Sequence, residues 1–94
     1  MREILLDERT GVKTIRDLHD ALRDALSSGE EVVLDFSGME RMDLSVLQVL
    51  MAAQRAARRD KRVLKLKKVP PRVRAQLQIA GLAKGGGAGN TYWS

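Results

Sequence analysis

The chain has no cysteine, two prolines, one histidine, and a single phenylalanine, tyrosine and tryptophan among its 94 residues. Without cysteine there is no disulfide framework and no thiolate metal site. The one histidine, His19, has no second imidazole or nucleophile patterned around it, so it is read as a surface or boundary residue of a helix. No apolar run is long enough to cross a bilayer. The opening MREILLDERT sets acidic residues directly beside its short apolar run, which does not fit a signal peptide. These absences lead to the expectation of a cytoplasmic protein without metal, cofactor or membrane insertion.

Acidic residues are also missing from the last third. The net charge of +5 comes from 17 basic and 12 acidic residues, and beyond Asp60 every charged side chain is basic. Such asymmetry marks some nucleic-acid and anionic-membrane surfaces, but more often it is a solvated face that keeps a small protein dispersed. Residues 55–68 are rich in Arg and Lys and contain no aromatic side chain, so they offer no platform for stacking bases. Non-specific phosphate attraction stays open; specific nucleic-acid recognition is not expected. The GGGAG run at 85–89 lacks the following Lys-Ser/Thr of a phosphate-binding loop and does not link a strand to a helix.

What remains has a clear periodic order. Residues 2–7 contain Ile4, Leu5 and Leu6 and predict a short strand. From Thr14, apolar residues at 15, 18, 22, 25 and 26 follow one helix face. Thr14 with Asp17 resembles a capping box, and Ser27-Ser28-Gly29 closes the helix. Residues 31–36 are nearly continuously apolar, as in a parallel strand covered on both faces. Asp43, a favoured N-cap type, precedes a helix over 44–59, whose apolar side is read as Leu47, Leu50, Met51 and Ala57, widened by Val46, Val49 and Ala53. A third strand is predicted at 62–67. Pro71 then opens a third helix with Val73, Leu77 and Ala80 inward, ended by Gly81-Leu82. Alternating strands and helices predict an α/β sandwich with a mostly parallel sheet covered by helices. One domain over 1–84 and a flexible, glycine-rich tail over 85–94 are expected.

Two residue types stand out for chemistry. Ser45 lies in the first turn of the second helix, where free amides attract anions; phosphorylation there would add about two negative charges to the surface. On local chemistry alone a capping role is favoured, because capping serines are common and Asp43 would repel a phosphate. Asp35 interrupts an apolar strand, where an unpaired carboxylate is costly. It is expected to pair with a base, to organise the loop after the strand, or to reach solvent at the strand's edge. Asp35 and Asp43 lack the spacing of a catalytic or metal-binding pair, and no nucleophile–base pair lies near them. No catalytic residue is assigned.

The stretch VVLDFSGMERMDLSVLQVLMAAQRAARR, followed by RVLKLKKVPPRVRAQLQIAGL, resembles the STAS domain of bacterial anti-sigma factor antagonists. Asp35, Ser37 and Gly38 match the family's strand end. Met42, Asp43, Ser45 and Leu47 match its helix start, and Gly81-Leu82 its closing element. The Asp-Leu-Ser variant also resembles the short STAS proteins of chemotaxis systems. Val46 stands where the family usually has glycine, and Leu44 replaces a small polar residue. The resemblance implies a STAS-like fold and a regulatory protein–protein interaction module that binds a serine kinase or anti-sigma-type partner. Ser45 would be the phosphoacceptor, and Ser37, Met39, Glu40, Arg41, Asp43, Leu44, Ser45, Val46 and Gln48 the partner-binding residues. The alternative is a constitutive STAS adaptor of a chemotaxis or lipid-transporting ABC complex, which Val46 favours. A basic nucleic-acid or membrane-surface binder is the least favoured reading.

Overall fold

A computed structural model describes residues 1–7, 14–80 and 91–93. In chain order its elements are β1 (Arg2–Asp7), α1 (Ile15–Ser27), β2 (Val32–Gly38), α2 (Leu44–Arg59), β3 (Leu64–Lys67), α3 (Pro71–Ile79) and β4 (Thr91–Trp93). This is the expected α/β order. The strands form one parallel sheet in the sequential order β1-β2-β3-β4. A sequential order joined by crossovers of one hand places every helix on the same face of the sheet. The core agrees: buried residues of all three helices join Val32, Leu34 and Phe36 of β2 in a single cluster, with Leu6, Leu64 and Leu66 from the flanking strands.

The strand β2 is buried on both faces, but helices cover only one of them. Its outward residues Val33 and Asp35 lie in register between Glu3 and Leu5 of β1 and Lys65 and Lys67 of β3. Ion pairs span that outer face. The Lys67 Nζ lies 2.8 Å from Glu3 and 4.0 Å from Asp35, and Lys65 Nζ lies 3.3 Å from Glu31. The missing alternation in β2 therefore has two causes, an apolar core on one side and long paired side chains on the other.

Helix α1 buries Leu18, Leu22, Ala25 and Leu26, with Ile15 half-buried, as its spacing predicts. The face of α2 is rotated from the expected one. Val46, Leu50, Ala53, Gln54 and Ala57 are buried, while Leu47 and Met51 only flank the core. Positions 46, 50, 53 and 57 lie on one helical stripe. In α3, Pro71 occupies the first turn and Val73 and Leu77 are buried.

The helix ends are tied down in ways the sequence did not announce. At the start of α1 the side chain of Thr14 makes no cap hydrogen bond. At its other end Gly29 takes φ 84°, and the Arg62 Nε donates to the Leu26 carbonyl at 3.2 Å. That contact brings a cation from the turn before β3 to a helix terminus whose own last turn has no basic residue. Helix α2 closes with Arg62 N–H donating to Ala57 O at 2.8 Å and Lys61 N–H to Arg58 O at 3.4 Å, with Lys61 at φ 56°. This is a Schellman arrangement with lysine in the position usually held by glycine.

Residues 91–93, expected as part of a flexible tail, form β4 beside β3. The rest of that tail, and the Gly81-Leu82 helix end, lie outside the described residues.

Candidate functional site

The carboxyl-terminal edge of the sheet carries the loop 37–43 and the first turn of α2. It begins with Asp35. The side chain is largely enclosed, and its Oδ1 accepts the Ser37 backbone N–H at 2.9 Å. That N–H, then the Ser37 hydroxyl, holds the Asp35 carboxyl below the ordinary aspartate range; desolvation opposes them, and Lys68 and Lys67 add to the lowering. Of the expected roles, Asp35 takes two: it organises the loop after the strand and faces a lysine. Because its folded pKa is lowered, the stabilisation from ionised Asp35 is complete above the unfolded value near about pH 4 and is lost as pH falls through the folded value. Asp35→Asn should therefore be less stable than wild type at neutral pH, and the gap between them should narrow in acid. Urea midpoints measured from neutral pH to below pH 4 check this; a gap that stays constant throughout would rule out an ionised Asp35 as its source.

Gly38 follows at the end of β2, opposite Asp7, where the β1–β2 register shifts. A Cβ at residue 38 would stand 3.0 Å from the Asp7 Cβ, so glycine permits the close approach of the two strands. The chain then turns, with Met39 N–H donating to Phe36 O at 3.1 Å. Met39 and Met42 point into the core, while Glu40, Arg41 and Asp43 are exposed. The loop is thus pinned by two methionines and presents three charged side chains.

A second fastening comes from α3. The Gln76 Oε1 accepts the Met42 N–H at 2.8 Å, and its Nε2 donates to the Met42 carbonyl at 2.8 Å. One side-chain amide satisfies both main-chain groups of one loop residue across 34 positions of sequence. Nothing in the sequence singles out Gln76; the only hint is a residue with both a donor and an acceptor beside the buried Leu77.

Asp43 takes the extended N-cap conformation (φ −68°, ψ 153°), but its carboxylate makes no cap hydrogen bond. The capping expected of it is absent, and the side chain is exposed instead. Leu44 is 68% exposed, a large apolar side chain standing out at the helix start. Ser45 differs sharply: its Oγ is enclosed and has no hydrogen-bond partner among the described residues. The capping role favoured on local chemistry is therefore not what this hydroxyl performs.

Of the residues the sequence marked for partner contact, Ser37, Glu40, Arg41, Asp43, Leu44 and Gln48 are exposed and cluster on this edge. Met39 and Val46 are 2% and 0% exposed, so they support the surface from behind. Val46 fills core volume that a glycine would leave empty. His19 is exposed on α1, with its Nδ1 3.7 Å from Asp20. Among the described residues no three His, Asp or Glu side chains converge as a metal site requires. None of the described helices is long and apolar enough to cross a membrane.

No curated protein and no solved structure matches the chain. A family model does, the one described as "Mlab, STAS domain", and it covers residues 4–86. That span takes in most of β1, the strands β2 and β3, all three helices and the loop 37–43. A match over so much of the fold shows the family: the chain belongs to the STAS domain family.

Proposed function

We propose that this domain is a cytoplasmic, non-enzymatic interaction module that docks a protein partner constitutively through the loop 37–43 and the first turn of α2. The observation behind this reading is the contrast between adjacent residues: Leu44 is 68% exposed, whereas the Ser45 Oγ is enclosed. A large exposed apolar side chain that follows the exposed, charged Glu40, Arg41 and Asp43 in the chain has the make-up of an interface anchor with a polar rim. A hydroxyl with no access to solvent gives a kinase nothing to reach in this conformation. The partner class that fits is a subunit of a chemotaxis or lipid-transporting ABC complex, and the domain serves as its adaptor.

The phospho-switch reading keeps one observation in its favour. The first turn of α2 has no side-chain cap and no acidic residue inside it, so its amides would welcome a phosphate if the turn opened around Ser45. The intact mass of the protein recovered from its native host under varied growth conditions separates the two. Constitutive docking predicts an unmodified chain that co-purifies with its partner. A chain bearing one phosphate on Ser45, and released from the partner when it does, would establish the switch.

A further inference from the structure

We infer that Gln76 is the positioning residue of the docking surface, a latch that fixes the loop 37–43 in its binding geometry. The inference rests on the docking reading above, but its first measurement needs no partner. Three observations converge on it. Both Met42 main-chain groups are held by one side chain, at 2.8 Å each. An amide side chain used this way acts as a neighbouring strand would, in a loop that has no strand beside it. The residues around Gln76 are themselves fixed, since Val73 and Leu77 of α3 are both fully buried. Finally, Met42 directly precedes the N-cap Asp43 and lies two residues before the exposed Leu44. Its main chain therefore sets the direction in which Asp43 and Leu44 leave the core.

The Gln76 amide bonds to the main chain of the loop and acts on the surface through it. Its removal should release the loop without unfolding the sheet, because the core contacts of Met39 and Met42 remain. A fixed loop binds with less ordering cost than a mobile one, so releasing it should weaken docking even with every contact residue intact.

The test compares wild type with Gln76→Met, which keeps length and loses both hydrogen bonds, and Gln76→Glu, which keeps only the acceptor for the Met42 N–H. Residue-resolved amide exchange on the free protein should show the Met42 amide opening about ten- to a hundred-fold faster in Gln76→Met, with a smaller change in Gln76→Glu. The amides of Leu34 and Leu66 in the sheet should keep their protection. An unchanged Met42 amide, or sheet amides that accelerate equally, overturns the latch. Affinity for the co-purified partner should fall roughly tenfold or more in Gln76→Met, and not in Arg62→Ala, which loosens the opposite edge of the sheet. A released loop with undiminished affinity removes Gln76 from docking yet leaves the surface itself standing, since Leu44→Asp reports on that surface separately.

Discussion

Phe36→Ala is expected to lower folding stability by about 3–5 kcal/mol, the usual range for emptying a buried aromatic site. Phe36 is fully buried at the core end of β2 and is the only phenylalanine in the chain. The core cluster it belongs to is mostly Leu, Val and Ala, side chains too short to extend into the space a ring leaves. The turn into the loop 37–43 hangs from the same residue, through the Met39 N–H to its carbonyl. A domain of this size has about 5–10 kcal/mol in total, so the substitution should remove a large share of it. Urea unfolding should show the midpoint falling with little change in slope. A loss below about 1 kcal/mol would mean that the ring is not enclosed as described.

Leu44→Asp should do the reverse, leaving stability nearly intact while removing binding. The side chain is 68% exposed and occupies the first position of α2, so truncating it empties no core space. A carboxylate in the first turn also suits the helix dipole, which offsets the lost propensity to within about 0.5 kcal/mol. At an interface the effect is different. An apolar anchor is replaced by a charge that must be desolvated, and loss of a central anchor costs about 2 kcal/mol or more, roughly a thirtyfold rise in Kd. Binding of the co-purified partner by calorimetry, beside thermal melts of both proteins, separates the two effects. A variant that melts normally and binds normally would mean that the partner engages another face.

Much of this fold is visible in the sequence, and the parts that are not have identifiable causes. Three strands and three helices follow from periodicity because each element buries one stripe or one face. The exact face of α2 was less clear, since Val46, Leu47, Leu50 and Met51 are all apolar and only packing decides between overlapping stripes. Ile4, Leu5 and Leu6 read as one apolar run, yet Leu5 is 60% exposed and Leu6 1%. Strand alternation separates them once the helices are known to cover a single face. The ion pairs of Lys67 with Glu3 and Asp35 depend on strand register, which no local pattern supplies. The contacts of Arg62 with Leu26 and of Gln76 with Met42 link residues more than 30 positions apart and carry no periodic signal.

The candidate site divides along the same line. Asp35, Ser37 and Gly38, and the helix start at Asp43, were legible because strand ends, turns and caps have residue preferences. That the Ser45 Oγ is enclosed while Leu44 stands out was not legible, because a one-residue step along a helix turns a side chain by about 100° and only the packed structure fixes which residue faces in. The departure at Val46 has a physical consequence: its side chain is buried in the core, where glycine would leave space.

The central claim is that the loop 37–43 and the start of α2 form a constitutive docking surface. Site-specific photo-cross-linking in the native host tests it most directly, with the cross-linker placed in turn at Arg41, Leu44 and Gln48, and at Arg16 and Arg23 on α1 as comparison positions. The account predicts that one protein partner is trapped from Arg41, Leu44 and Gln48, equally in wild type and in Ser45→Ala, and not from α1. Trapping from α1 alone, or a yield at position 44 that depends on the Ser45 hydroxyl, would contradict it.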